Sequence, residues 1–245
     1  LLGPDAIGLL AEALAVMSQI YGHLPALLLG GIVPGSRRAR ELYACCESLF
    51  TIYLAGECIQ GRASLEGGLD GFLSRRSANL RSKWRKSFRR AADRGVTFER
   101  SCPTDTAGAD AVYTRMLAVE QRSWKGVGHC GMTESPAREF YAGMIRRLAV
   151  QGTARVMFAR HEGQDIGFIF GGMLGPCYRG QQFSYDAAWK DLSIGNLLQV
   201  EQIRWLCEEG AVRYDMGTAS GEPMAYKMHW TEAHPTSQTW FLQPR

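Results

Sequence analysis

The sequence predicts a mixed α/β fold, and three observations support that prediction. Helical and extended hydrophobic periodicities alternate along the second half of the chain. Glycine or proline turn signals close the predicted strands. The 245 residues are 46% hydrophobic and 21% charged, a composition that allows a sizeable core. Helices and strands mixed along the chain in this way are typical of an α/β sheet protein.

The first hundred residues begin with a helical pattern in which Leu10, Leu14 and Met17 share one face. Turn signals such as Pro34-Gly35 separate the next short hydrophobic runs. We expect helices at 7–20, 36–46 and 72–92, strands at 23–32, 49–54 and 96–99, and a glycine-rich loop at 56–71.

The remaining residues contain a predicted three-strand meander whose breaks are Glu162-Gly163 and Gly175-Pro176. Ser193 is expected to cap the helix that follows the meander. We expect helices at 107–123, 135–150 and 193–209, a polar loop at 125–134, and strands at 154–161, 165–173, 177–185, 212–216 and 239–242.

Positive charge is unevenly distributed. The net charge is only +4, but nine Lys or Arg residues lie between Arg75 and Arg94, against the single acid Asp93. Such a block favours anionic partners such as phosphates, RNA or an acidic carrier protein. The same helical segment carries an apolar stripe of Leu80, Trp84 and Phe88, which should face the core.

The seven cysteines are scattered and form no Cys-x-x-Cys pair, so we expect no metal site. Reduced thiols of this kind are typical of the cytoplasm. No apolar run approaches the length of a membrane span, and the N-terminal residues lack the pattern of a signal peptide. We therefore expect a cytoplasmic protein without a membrane span.

The predicted strand-to-helix turn at Ser193, Ile194, Gly195 and Asn196 is a candidate phosphate site. Free backbone N–H groups and the positive end of a helix point at one spot in such a turn, and glycine lets a phosphate approach closely. A helix start without a ligand would have the same sequence. The turn alone therefore leaves both interpretations open.

Five segments occur in a characteristic order. They are Glu120 to Gly126, Tyr185-Asp186, Ser193 to Leu198, Gly210 to Gly217, and Tyr226 to Trp230. In this order and spacing they resemble the BioF2-like acetyltransferases of the GNAT superfamily, over roughly residues 73–230. The resemblance implies a GNAT fold and transfer of an acyl group to an amine.

The BioF2-like family is related to Fem-type aminoacyl transferases, in which two GNAT-like halves stand in tandem. By this resemblance residues 1–100 form a shortened N-terminal half with the basic connecting helix, and residues 101–245 form the C-terminal acyltransferase domain. The chain has Ser-Ile-Gly-Asn where common GNAT enzymes have a fuller phosphate loop. The donor therefore stays open between acyl-CoA, a phosphopantetheine-linked acyl group on a carrier protein, and aminoacyl-tRNA.

Lys227 is the leading catalytic candidate, because the resemblance places the segment between Tyr226 and Trp230 at the acyl centre. A cation there stabilises the oxyanion that forms when an amine attacks a thioester or ester. Asp186, Asp215 and Glu120 are candidate bases for the attacking amine. The remaining candidates are Tyr226 in catalysis, Arg81, Arg85 and Arg89 with the 193–196 turn in donor binding, and Tyr185, Trp124 and Gln181 in substrate binding.

The sequence thus predicts a GNAT-type N-acyltransferase that acts on the amine of a small molecule or peptide, with a co-substrate donor and no tightly bound cofactor. One alternative is an aminoacyl-tRNA-dependent transferase of the Fem type. Another is a non-catalytic GNAT-shaped module that only grips RNA or a carrier protein. Either alternative would use the basic helix at 72–92.

Overall fold

The structure is a computed structural model that describes residues 6–245. Its elements are α1 (Ala6–Tyr21), β1 (Leu27–Ile32), α2 (Arg37–Cys46), β2 (Phe50–Ser64), α3 (Gly68–Ser74), α4 (Ala78–Asp93), β3 (Thr97–Ser101), α5 (Thr106–Gln121), α6 (Trp124–Val127), α7 (Ala137–Val150), β4 (Ala154–His161), β5 (Gln164–Leu174), β6 (Cys177–Tyr185), a 3₁₀ helix (Ala187–Leu192), α8 (Ile194–Glu208), β7 (Arg213–Thr218), a second 3₁₀ helix (Glu222–His229) and β8 (Thr236–Pro244).

The chain packs as two compact units. The smaller unit contains the residues up to Gly61 together with Thr218–Met228 and Ala233–Arg245. The larger unit contains Arg62–Gly217 and His229–Glu232. The predicted division into residues 1–100 and 101–245 concerns the two GNAT-like halves and stays a prediction.

In the smaller unit, β8 lies between β1 and β2 and is antiparallel to both. Helices α1 and α2 supply Leu14 and Leu42 to a core that also buries Phe50 and Leu242. The expected loop at 56–71 is wrong, because β2 continues through Gly56 with a register shift and pairs with β8 as far as Ile59. Hydrogen bonds from a distant strand outweigh the low strand propensity of glycine here.

The larger unit is a mixed sheet with helices on both faces. Its strand order is β7-β6-β5-β4-β3, and only the β6–β7 pair is parallel. Side chains alternate along β4, so that Phe158 packs with Met116 of α5 while Met157 packs with Leu198 of α8. The predicted three-strand meander is confirmed as β4, β5 and β6.

The basic segment forms two helices, so the expected single helix at 72–92 is wrong. The chain leaves α3 after Ser74, and the Ser77 hydroxyl caps α4 by accepting a hydrogen bond from the Leu80 N–H at 3.2 Å. The predicted apolar stripe does face the core: Trp84 is buried and stacks on Trp230, with ring centroids 4.4 Å apart. Residue Trp230, from the C-terminal motif, thereby anchors α4.

Candidate active site

Strands β6 and β7 diverge after a short stretch of pairing. Their parallel register covers only the pairs from Cys177 with Arg213 to Arg179 with Asp215, although β6 continues to Tyr185. Between Gly180 and Gln182 the register of β6 against β5 also shifts, and Gln181 is the additional residue. A bulge of this kind re-aims the following side chains and backbone groups.

The bulge sets the direction of the backbone groups in the last part of β6. The Asp186 N–H donates to the Ile166 carbonyl of β5 at 2.9 Å. Backbone groups alternate along an antiparallel strand, so the Phe183 carbonyl, three residues earlier, points away from β5. It faces the side on which β6 no longer pairs with β7.

Glu120, at the end of α5, is fully buried, with 0% of its surface exposed. One carboxylate oxygen accepts a hydrogen bond from the Met132 N–H at 2.6 Å, and the other accepts one from the Ser184 hydroxyl at 2.6 Å. Glu120 therefore joins α5, the following loop and β6. Both oxygens are engaged, which makes this carboxylate a fixed negative charge within the site.

Lys125, five residues after Glu120, reaches the same part of β6. Its ammonium donates to Gln182 Oε1 at 2.7 Å and to the Phe183 carbonyl at 3.0 Å, and it lies 3.9 Å from Glu120 Oε2. Gln182 in turn donates to the Tyr141 hydroxyl of α7 at 2.7 Å. Burial lowers the pKa of Lys125, while Glu120 opposes that shift.

The loop after α5 closes tightly over Glu120, and two glycines make this possible. A Cβ atom at Gly126 would lie 2.4 Å from the Glu120 carbonyl oxygen. One at Gly131, where φ is +118°, would lie 2.4 Å from Glu120 Oε1. These glycines of the expected polar loop permit close packing around a buried carboxylate. Lys125 points inward, while Trp124 beside it is 60% exposed.

The 193–196 turn lies against the same strand but differs in detail from the prediction. Ser193 adopts the left-handed conformation at φ +58° and its side chain does not cap α8, so the predicted serine cap is wrong. The Ser193 carbonyl accepts from the Asn196 N–H at 2.9 Å. A Cβ at Gly195 would lie 3.2 Å from the rings of Phe183 and Tyr185, so this glycine lets α8 pack closely on β6. Ile194 is buried.

Two predicted bases are held by arginines. Asp186 accepts from Arg122 Nε at 2.7 Å and caps the 3₁₀ helix through the Ala188 N–H at 3.0 Å. Asp215 accepts from Arg179 Nη1 at 2.6 Å and from the Gly217 N–H at 3.0 Å. These charge-assisted contacts hold both side chains in place at strand ends, and the predicted roles as bases stay predictions.

Lys227 and Tyr226 belong to the smaller unit. The Lys227 ammonium donates to the Thr218 carbonyl at 2.7 Å. Burial raises the pKa of Tyr226 well above its usual range. Their predicted catalytic roles stay predictions.

Helix α4 exposes Arg85 and Arg89 and half-buries Arg81. Within the described chain these three arginines contact no carboxylate. By contrast, Arg115, Arg122 and Arg179 each form an ion pair.

Residues 6–245 contain no cluster of His, Cys, Asp and Glu, among the described side chains, that could hold a metal ion. In the same range no helix is both long and apolar enough to cross a membrane. Each of the seven cysteines is a free thiol.

Comparison with models of protein families identifies the family of this chain. The model of the acetyltransferase (GNAT) domain matches residues 74–228, more than half of the chain. The chain belongs to this GNAT family. The predicted resemblance and the mixed α/β GNAT fold are therefore confirmed. A search of curated protein sequences finds no match.

Solved structures share this GNAT fold at low sequence identity. FemX is 13% identical, with a TM-score of 0.66 over 98% of this chain and 77% of FemX. L-PGS from Bacillus licheniformis is 14% identical, with a TM-score of 0.66 over 98% and 74%. A tandem GNAT protein from the clavulanic acid biosynthesis pathway is 12% identical, with a TM-score of 0.51 over 97% and 69%. These likenesses concern the fold.

Of the predicted site residues of this GNAT chain, the structure brings Glu120 next to β6, and Gly195 next to Tyr185. The structure also places Lys125, Gln182 and Ser184 in the candidate site, although the sequence alone did not single them out as functional. A signal was available, because Lys125 belongs to the same family-like segment as Glu120 and Trp124. A lysine in a glycine-rich loop nevertheless looks like solvated surface until burial is known.

Proposed function

We propose that this chain is an N-acyltransferase that transfers an acyl group from a thioester donor to the amine of a small molecule or peptide. The observation that carries the proposal is the divergence of β6 and β7 beyond Arg179 and Asp215. It leaves a gap in the sheet beside a cluster of fixed charges and hydrogen-bond donors. Reactions that need two substrates held in line with a polarised carbonyl suit such a gap.

The start of α8 supports a donor with phosphates. The 193–196 turn packs on Phe183 and Tyr185 through Gly195, so the start of α8 lies against the diverging strand. A helix start favours anions through its free donors and its dipole. Acyl-CoA and a phosphopantetheine-linked acyl group both fit this requirement.

The basic face of α4 favours a second candidate, transfer from aminoacyl-tRNA. We define this face as Arg81, Lys83, Arg85, Lys86 and Arg89. Among the described residues these five cations have no carboxylate partner, and four of them are exposed. Unpaired charge along a helix attracts a polyanion over a longer distance than one pyrophosphate spans.

A donor panel tests the proposed reaction. Purified protein is incubated with acyl-CoA, acyl-carrier protein or aminoacyl-tRNA and a set of amines, and the N-acyl product and the released thiol or tRNA are quantified by mass spectrometry. We expect a thioester donor to give product. Product from aminoacyl-tRNA alone would favour the second candidate. No product from any donor would support a binding module instead.

One variant pair tests the donor turn. Asn196→Asp places a negative charge in the exposed first turn of α8, so the Kd of a thioester donor should rise several-fold, by the roughly 0.3–1 kcal/mol of a charge at a helix end. Asn79→Asp makes the same change in the first turn of α4 and should leave coenzyme A binding unchanged. Equal Kd values for both variants would remove the turn from donor binding.

A further inference from the structure

Lys125 differs from three other partly buried cations of the larger unit. Arg115, Arg122 and Arg179 each contact a carboxylate oxygen at 2.8, 2.7 and 2.6 Å. Lys125 instead donates to two neutral oxygens, and its nearest carboxylate oxygen is 3.9 Å away. That separation exceeds hydrogen-bond distance. The positive charge is therefore held in place without being neutralised by direct contact.

The hydrogen bonds of Lys125 within the described chain use two of its three N–H donors. An ammonium carries three N–H groups. Within the described chain two of them point at Gln182 Oε1 and the Phe183 carbonyl. The side chain is 17% exposed, so the group is shielded but reachable. A buried charge that lacks a contacting counter-ion costs stability, and such groups concentrate at functional sites.

The position of this ammonium matches a chemical need. The Phe183 carbonyl points to the side where β6 has parted from β7, so Lys125 lies beside the gap in the sheet. Glu120 is held by Met132 and Ser184, so it fixes Lys125 electrostatically without taking up its hydrogen bonds. A fixed donor in a shielded site stabilises developing negative charge better than one that must reorganise.

We propose that Lys125 is a catalytic residue that donates a hydrogen bond to the oxyanion of the acyl-transfer intermediate. The inference rests on the proposed function. The amine nitrogen forms a bond to the acyl carbon, and the carbonyl electron pair moves to the oxygen that Lys125 contacts. As the carbonyl re-forms, the carbon–sulfur bond breaks and the thiolate departs with the electron pair. The proton lost by the amine ends on that sulfur, so an amide and a free thiol are produced.

The test compares three lysines by single-turnover and steady-state kinetics with the donor that the wild type uses. Lys125→Met should lower kcat by about 10²-fold or more, the loss expected for one oxyanion donor, with little change in donor Kd. Lys190→Met, at an exposed lysine, should leave both unchanged. Lys227→Met tests the alternative that Lys227 is the oxyanion donor. If it loses kcat while Lys125→Met does not, the oxyanion role passes to Lys227 and the proposal is overturned.

A pH profile provides a readout that a purely structural lysine would not change. The groups facing Lys125 are Glu120 and Cys130. Wild-type kcat should fall on the alkaline side as the Lys125 ammonium deprotonates, below the usual lysine pKa. Lys125→Arg restores the cation, so its alkaline fall should move to higher pH. An unchanged alkaline limb in the arginine variant would overturn the proposal.

Two kinds of failure are distinguishable. A wild type that transfers from no donor removes the proposed function and this inference together. An active wild type with an equally active, folded Lys125→Met variant removes the inference alone. Thermal unfolding of each variant shows that it is folded, and the wild-type pH profile tests the role of the cation even if Lys125→Met does not fold.

Discussion

The larger unit holds positive charge in two very different ways. Around Lys125 a single cation is shielded and fixed by neutral oxygens, with a buried carboxylate 3.9 Å away. On the basic face of α4 five cations stand along a helix without carboxylate partners in the described chain, and most are exposed. Charge in the first setting acts on one atom at short range, whereas charge in the second acts on extended anions and is screened by salt.

The difference teaches that the number of charges is a poor guide to function. The sequence draws attention to α4, where the basic residues are dense, and passes over one lysine in a glycine-rich loop. Only burial and hydrogen-bond geometry reveal that Lys125 is the cation placed to meet a reacting group. The basic face of α4 is then a candidate for selecting the anionic donor, and Lys125 is a candidate for stabilising the oxyanion.

The largest effect should come from removing the charge that balances Lys125. Glu120→Ala leaves the Met132 N–H and the Ser184 hydroxyl unpaired and isolates a buried ammonium, so the free energy of unfolding should fall by about 3 kcal/mol or more. Urea denaturation measures the free energy of unfolding of the variant and of the wild type. Arg85→Ala, on the exposed face of α4, should change stability by less than about 0.5 kcal/mol.

Glu134→Ala is the matched control, because the Glu134 side chain is about half exposed and its Oε1 lies 3.5 Å from His129 Nδ1. It should behave like Arg85→Ala. If Glu120→Ala destabilises the chain no more than Glu134→Ala does, then the cluster around Lys125 is not the rigid unit that its hydrogen bonds indicate.

An intermediate effect should appear on α4, in binding rather than in stability. Replacing Arg81, Arg85 and Arg89 with Gln removes three charges, so the slope of log Kd for tRNA against log salt should become shallower by about 3 if each contacts a phosphate. Coenzyme A binding should respond little. Titrations from low to high salt measure both.

A second triple variant controls for net charge. Arg37, Arg38 and Arg40 of α2, replaced by Gln, give the same change in charge at residues that already have partners. Arg37 pairs with Glu41, and Arg40 donates to the Gly35 carbonyl. If both triple variants weaken tRNA binding equally, the effect is one of net charge, and the basic face of α4 loses its role.

The sequence predicted much of the fold because its local signals agreed with the packing. Strands β4 to β6 combine alternating apolar residues with clear turns, and α4 carries a regular apolar stripe. The predictions failed where distant partners decide the outcome. Gly56 lies in a strand because β8 pairs with that strand. Ser193 was expected to cap a helix, but its backbone is left-handed and its side chain makes no capping hydrogen bond.

The site was predictable only in part, for a similar reason. Glu120 and the 193–196 turn come from motifs that are local in sequence. The hydrogen bonds of Lys125 join the loop after α5 to β6, more than fifty residues away along the chain. Burial of a lysine depends on such non-local packing, and no pattern of spacing encodes it. The arginines that pair with Asp186 and Asp215 are likewise distant in sequence, so no local pattern indicated these ion pairs.

The smallest expected effect is the pH dependence of stability, and it contrasts Lys125 directly with a lysine of α4. Burial lowers the pKa of Lys125 in the folded state below the 10.5 of an unperturbed lysine. Well below the folded pKa both states carry the proton, and the cost of the buried charge is fully present. As pH rises through the folded pKa towards 10.5, the unfolded chain binds more protons than the folded one, so Lys125 makes the free energy of unfolding rise.

Lys125→Met abolishes that contribution to the pH dependence, whereas Lys86→Met, at an exposed position, should not. Urea denaturation of the wild type and both variants across the alkaline range measures it, because other titrating groups cancel in the differences. The prediction fails if the two variants differ from the wild type by the same amount at every pH, since Lys125 would then titrate like an exposed lysine and its ammonium would not be held in a shielded site.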